Sequence, residues 1–128
     1  DLYPFLKDQP KFLFEYGQCL SKTGQYEEGI RILTEGTRLS ADPMFYNIMG
    51  KDAEALKHFG QAEACFKQAS YMVPHRLYPI YLLAKMYFES GQSEKGRDMA
   101  RQVIQKEPKV MSDAVKEMKA ELEERLKP

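Results

Sequence analysis

Side chains suited to acid–base or metal chemistry are sparse in this chain. His58 and His75 are the only histidines, and Cys19 and Cys65 stand far apart, without a Cys-x-x-Cys spacing. His58 and Cys65 do not form a zinc-ligand pattern, and the glycines do not form a phosphate-binding loop. We therefore predict no catalytic residue, no metal site and no cofactor. Both histidines are expected at surface turns, and both cysteines as buried free thiols.

The secondary structure of the chain can be predicted from an internal repeat with a period of about 34 residues. The pattern Gly-Gln-x-Glu-x-Gly begins at Gly24 and returns two periods later at Gly91, and a middle copy lies between them. Each copy contains two stretches with apolar or small residues at i, i+3, i+4 and i+7, which is one face of an α-helix. This period is typical of stacked helical hairpins, because a single hairpin cannot bury its apolar faces alone.

The repeat divides the chain into segments. They are a leader at 1–9, repeats at 10–42, 43–76 and 77–110, and a terminal segment at 111–128. The chain begins at Asp1 and not at Met, so we interpret the leader as the tail of a preceding element and the chain as a piece of a longer protein.

The terminal segment predicts one more helix. Its apolar face contains Met111, Val115, Met118 and Leu122. Charged residues occupy the other faces, and Glu121 and Arg125 are spaced for an i, i+4 ion pair. We expect this helix to cap the stack with a polar outer face. A membrane-surface helix is the alternative, which the mixed charges and the missing aromatic anchor disfavour.

The turn inside each hairpin predicts a residue with positive φ. Gly24 and Gly91 meet this need in the first and third copies. The middle copy has Lys57 at the same place. Either Lys57 adopts the left-handed conformation, at a cost of about 1 kcal/mol, or the turn shifts toward Gly60.

The pattern of large and small residues within each copy resembles the tetratricopeptide repeat (TPR). The middle copy shows it best in its second half, through Phe59, Ala62, Phe66, Ala69 and Pro74. The resemblance implies an all-α fold: a TPR α-solenoid of three helical hairpins plus a C-terminal capping helix. It also implies a non-catalytic protein–protein interaction module that binds a protein or peptide ligand in its concave groove.

The groove would be made by the first helix of each hairpin. The predicted partner-binding positions are Phe14, Gln18, Asn47, Lys51, Tyr78, Tyr81, Lys85 and Phe88. From Tyr78 to Phe88, three aromatic rings and one cation recur at helical spacing, which suits an anchor for a peptide. The same rings also suit packing on the next hairpin or on the terminal helix, and both interpretations stay open.

A narrower resemblance rests on the stretch Met72 to Leu83, MVPHRLYPIYLL, and on residues 45–51 before it. They are similar to the C-terminal TPR region of O-antigen ligase-like and polymerase-like membrane proteins of Bacteroides-type bacteria. This resemblance implies a soluble domain of a membrane-anchored parent in surface polysaccharide assembly, at the bacterial inner membrane. The unpaired cysteines favour its cytoplasmic side.

The composition of the chain limits which other functions are possible. Nineteen basic residues balance nineteen acidic ones, and no basic stripe indicates a nucleic-acid partner. No apolar run approaches the roughly 18 residues of a membrane span, so no direct membrane insertion is expected. One alternative function is a TPR adaptor or regulatory scaffold from a soluble protein unrelated to polysaccharide assembly. Another is a carbohydrate enzyme that would use Glu54 and Glu89 beside the aromatic stripe.

Overall fold

The computed structural model describes residues 6–108 and 111–128, and in that part the chain is helical with no strand. The helices are α1 (Pro10–Lys22), α2 (Tyr26–Thr37), α3 (Met44–Ala55), α4 (Phe59–Met72), α5 (Tyr78–Glu89), α6 (Ser93–Gln105) and α7 (Asp113–Leu126). The predicted all-α class is confirmed. Most of the predicted leader and the last two positions of the third repeat, residues 1–5 and 109–110, lie outside the described residues.

The helices pair as three consecutive hairpins, α1–α2, α3–α4 and α5–α6, with α7 packed after them. Proline residues fit the helix starts: Pro10 and Pro79 lie in the first turns of α1 and α5, and Pro43 precedes α3. A missing N–H does no harm there. The first helices α1, α3 and α5 also contact one another across the hairpins. They form the inner surface of the stack.

The three hairpin turns have the same geometry. Gly24 and Gly91 adopt φ of 81°, and Lys57 adopts φ of 64° at the equivalent place. In each turn the following residue donates its N–H to the carbonyl oxygen five residues back, at 2.8 Å, which closes the helix end. Lys57 is therefore left-handed, and the shifted turn near Gly60 does not form because Gly60 lies inside α4.

Glycines allow the closest helix contacts in the stack. A Cβ atom on Gly50 would overlap the ring of Phe66, which is fully buried on the partner helix of the same hairpin. A Cβ atom on Gly36 would overlap the ring of Phe45 in the next hairpin. These two contacts interlock helices within a repeat and between repeats, as close packing requires.

The capping helix α7 closes the last apolar cluster. Leu122 is fully buried against Leu77, Ala84 and Val103. Met111 does not join this face as predicted: it lies before α7 begins and is 48% exposed.

Two further predictions about side chains are wrong. Glu121 and Arg125 do not pair with each other; Glu121 lies 3.3 Å from Lys85 Nζ, and Arg125 lies 3.0 Å from a Glu89 oxygen. Both charges thus find partners on α5. Cys65 is buried as expected, but Cys19 is exposed, because it points away from the face that α1 buries.

Candidate partner-binding groove

The groove, which we define as the inner surface formed by α1, α3 and α5, contains two adjoining clefts. The first cleft is about 320 Å³ and lies between α1 and α3, with Gln18, Ser21, Lys22, Ile48 and Asp52 in its walls. The second is about 350 Å³ and lies between α3 and α5, with Glu54, Leu82 and Lys85 in its walls. Lys51 and Ala55 line both clefts. They form the ridge between them, so a single bound segment can contact both.

Three of the predicted partner-binding residues line these clefts, namely Gln18, Lys51 and Lys85. Phe14 instead packs edge-to-face on Phe45, with 5.2 Å between ring centroids. Its ring belongs to the wall between the first two hairpins.

Asn47 is 2% exposed, so it lies below the groove surface. Its amide nitrogen donates to the sulfur of Met44 at 3.4 Å. Its amide oxygen has no hydrogen-bond partner among the described residues. A buried acceptor without a partner is costly, and the sequence pattern offered no sign of it.

The aromatic stripe on α5 meets the terminal helix. Tyr78 and Tyr81 stack with 6.1 Å between centroids, and Lys85 Nζ donates to the Tyr81 hydroxyl at 3.1 Å. Lys85 also pairs with Glu121 of α7. Partial burial and hydrogen bonding to Glu121 raise the pKa of Tyr81. Tyr81 therefore lies beside the cap, and its hydrogen-bond partner Lys85 lines the groove.

Phe88 packs against a charged side chain of α7. The Arg125 guanidinium lies 5.0 Å from the centroid of its ring, and the same guanidinium pairs with Glu89. Phe88 also packs on the apolar cluster that contains Leu122. Its contacts are those of a packing residue, whereas its role as a peptide anchor stays a prediction.

Tyr78 lines a separate cleft of about 380 Å³ at the start of α5. Arg76, Leu77 and Met118 form other parts of its wall. The predicted site residues are thus divided between the two clefts of the groove and this separate cleft.

Asp52 is the groove residue that sequence reasoning missed. It is 2% exposed, and its Oδ2 accepts a hydrogen bond of 2.8 Å from the Ser21 hydroxyl. Burial raises the pKa of its carboxyl to about 6, against smaller opposing effects of the Ser21 hydrogen bond and the Lys51 charge. A buried carboxylate in a cleft is a feature typical of functional sites.

The remaining titratable groups do not assemble into a reactive centre. Burial, with the negative charge of Glu89 second, raises the pKa of Glu54. Burial raises the pKa of the Cys65 thiol to about 11, which keeps it protonated and unreactive at neutral pH. In the described part of the chain, no three His, Cys, Asp or Glu side chains are arranged to hold a metal ion. Nor is any helix described there long and apolar enough to cross a bilayer.

Comparison with known proteins identifies the repeats and the fold. The tetratricopeptide-repeat family matches residues 10–43 and, separately, residues 80–109. A chain of the CopN–Scc3 complex is 13% identical, with a TM-score of 0.81 over 92% of this chain and 69% of that one. No curated protein sequence matches the chain.

Two further solved structures carry a bound partner. The first TPR of Spaghetti (RPAP3), bound to the HSP90 peptide SRMEEVD, is 19% identical, with a TM-score of 0.73 over 92% of this chain and 93% of that one. PcrH, in complex with the chaperone binding region of PopB, is 15% identical, with a TM-score of 0.73 over 93% of this chain and 95% of that one. At such identities the similarity establishes the fold alone.

Proposed function

Because this chain contains tetratricopeptide repeats, we propose that it acts by binding a segment of a partner protein in the groove. Such repeats form interaction modules that are generally not catalytic. The observation that carries the proposal is the continuity of the two clefts across Lys51 and Ala55. A continuous groove of this kind suits a peptide segment better than a small molecule, which needs an enclosed pocket.

The properties of the groove wall agree with this function. Lys51 and Ala55 are exposed at the ridge. Ile48 and Leu82 line the clefts on either side of it with apolar side chains that are mostly buried. Apolar contacts supply most of the affinity in such sites, and charged groups at the rim select and orient the partner. Two similar folds, that of RPAP3 and that of PcrH, hold a peptide or a partner region, which supports the same use here.

Site-specific photo-crosslinking tests the proposal. A photoreactive amino acid is placed at Gln18 in the groove or, as a matched control, at the exposed Arg97 on α6. We expect protein adducts from position 18 and not from position 97 when the chain is irradiated in extract of its source cells. Adduct peptides identified by mass spectrometry then give the sequence of the bound segment.

A blocking variant checks that the adducts arise from the groove. Ala55 is exposed and lines both clefts, so Ala55→Trp fills their common edge without disturbing the core. The variant should keep the wild-type circular dichroism spectrum and lose the adducts at position 18. Equal adduct yields at positions 18 and 97, or yields unchanged by Ala55→Trp, would show that partners bind elsewhere.

A narrower proposal concerns the protein to which this module belongs. The segment Met72 to Leu83 supports a parent that resembles the O-antigen ligase-like and polymerase-like membrane proteins, with the module at the inner membrane and facing the cytoplasm. In the fold this segment joins the second and third repeats, and four of its residues are buried, namely Leu77, Pro79, Leu82 and Leu83. Packing restricts those four residues in any TPR stack, so the support comes from the exposed residues of the segment, which include His75 and Arg76.

Membrane fractionation of the full-length parent tests this narrower proposal. Recovery in the membrane pellet, with the module protected from protease added to the periplasmic side, is the expected result. Recovery in the supernatant would exclude a membrane ligase and leave the unrelated adaptor. The groove proposal does not depend on this outcome.

A further inference from the structure

The first cleft holds a carboxylate that the protein leaves without a cationic partner. Asp52 is 2% exposed. Within the described part of the chain, no Lys, Arg or His nitrogen lies within ion-pair distance of it. Its hydrogen bond comes from Ser21 on α1, across the junction between the first two repeats. Buried charges in proteins are normally paired, so this carboxylate stands out from the rest of the fold.

Ser21 compensates this charge incompletely. Its hydroxyl has one hydrogen but lies within bonding distance of two acceptors, the Gly17 carbonyl oxygen at 3.0 Å and Asp52 Oδ2 at 2.8 Å. A hydrogen bond to Gly17 is made at the expense of the one to Asp52. The pKa of Asp52 is raised to about 6, first because burial disfavours the charge. At neutral pH the carboxylate is nevertheless mostly ionised, and the charge of Lys51 acts on it without forming an ion pair.

The fold itself does not require a carboxylate at this place. The equivalent position in the third repeat is Met86, which is fully buried and packs on Ala53 and Ala62. An apolar residue therefore fills the equivalent position at the junction between the second and third repeats. Asp52 occupies this place at the first junction, and it lines the first cleft of the groove.

The walls of the first cleft suit a long side chain with a polar end. Ile48 and Ala55 provide apolar surface on the α3 wall, where Asp52 is more deeply buried than either of them, and Ser21 faces Asp52 from α1. Lys22 and Lys51 are exposed at the rim, where water screens their charge. A cation that reaches Asp52 meets a charge that water screens much less. An anion would meet that same charge as a repulsion.

We infer that the first cleft binds a lysine or arginine side chain of the partner segment, with its stem on Ile48 and Ala55 and its cation paired to Asp52. This inference rests on the proposed function, because it assigns the residue class that one part of the groove selects. The pairing supplies the countercharge that the free protein lacks. It makes Asp52 a determinant of specificity.

Selection from a random peptide library tests the inference without a known partner. Short phage-displayed peptides are selected on the wild-type chain, and their binding is measured by fluorescence anisotropy. We expect the selected peptides to share one basic residue at a fixed place. Asp52→Asn should weaken their binding by at least about tenfold, since a buried ion pair loses one partner. Replacing the basic residue by glutamine should weaken binding to the wild type and not to Asp52→Asn.

Two variants separate the possible failures. Glu117→Gln removes an exposed carboxylate on α7, away from the groove, and should bind as the wild type does. Ala55→Trp should abolish binding. If Ala55→Trp abolishes binding but Asp52→Asn binds within about twofold of the wild type, the cation inference is wrong and the groove function stands. If no peptide is selected, or Ala55→Trp has no effect, both are wrong.

Discussion

Asp52 and Met86 occupy equivalent positions in the second and third repeats, and both are buried between a first helix and its neighbours. Met86 joins the apolar cluster around Ala62 and Phe66. Asp52 instead accepts a hydrogen bond from Ser21, at 2.8 Å. The two junctions of the stack thus differ in chemistry although they share their geometry. We therefore expect the first junction to respond to pH through Asp52, whereas the second has no titratable group at this position.

The stability of the chain should therefore depend on the charge of Asp52. Its folded pKa is raised to about 6 from an ordinary value of 3.8, so the folded state binds the proton more tightly than the unfolded state. This contribution to stability is present below about pH 4 and is lost as pH rises through about 6. We expect Asp52→Asn to raise the free energy of unfolding at pH 7.5 by about 1–3 kcal/mol and to change it little at pH 3.5.

Urea unfolding of both chains across this pH range measures the effect. Glu117→Gln is the matched control, because it removes an exposed carboxylate and should stay within about 0.5 kcal/mol of the wild type at every pH. If the free energy of unfolding of Asp52→Asn has the same slope between pH 4 and 7 as that of the wild type, the pH dependence comes from other groups. Glu54 is one such group, because burial also raises its pKa.

The turn of the second hairpin offers a direct stabilisation. Lys57 adopts φ of 64°, where a side chain is strained and glycine is not. Lys57→Gly should raise the free energy of unfolding by about 1 kcal/mol, while Gly24→Ala, at φ of 81°, should lower it by a similar amount. Chemical denaturation measures both. Lys57→Ala serves as control and should give no gain, because alanine keeps the strain; a gain there would mean that the lysine charge is responsible.

Packing within the second hairpin predicts a large cost for a single methyl group. A Cβ atom at Gly50 would overlap the Phe66 ring, which is fully buried. Gly50→Ala should lower the free energy of unfolding by about 1–3 kcal/mol. Gly60→Ala on the exposed side of α4 meets no atom within 4 Å and should raise it by about 0.5–1 kcal/mol. Thermal melts that showed the same shift for both variants would contradict the tight contact.

The features predicted from sequence are those that local spacing determines. The positive φ at Gly24 and Gly91 follows from the repeat alone, because each hairpin needs the same helix ending. The burial of Asp52 depends on how α1 packs on α3, and an aspartate in sequence is normally read as a solvated residue. The Glu121–Arg125 pairing failed for a related reason: both side chains found partners on α5. Contacts between residues far apart in sequence produce no regular spacing from which they could be predicted.

Substitutions in the capping helix α7 test which of its contacts stabilise the third repeat. Leu122 is fully buried between α7 and the last hairpin, whereas Arg125 makes an exposed ion pair with Glu89 and lies over the Phe88 ring. Leu122→Ala should lower the free energy of unfolding by about 2–4 kcal/mol, and Arg125→Ala by about 1 kcal/mol or less. Hydrogen–deuterium exchange should rise in α7 and in α5 for Leu122→Ala and mainly in α7 for Arg125→Ala. A larger loss from Arg125→Ala would mean that charge, and not apolar burial, holds the cap over the aromatic stripe.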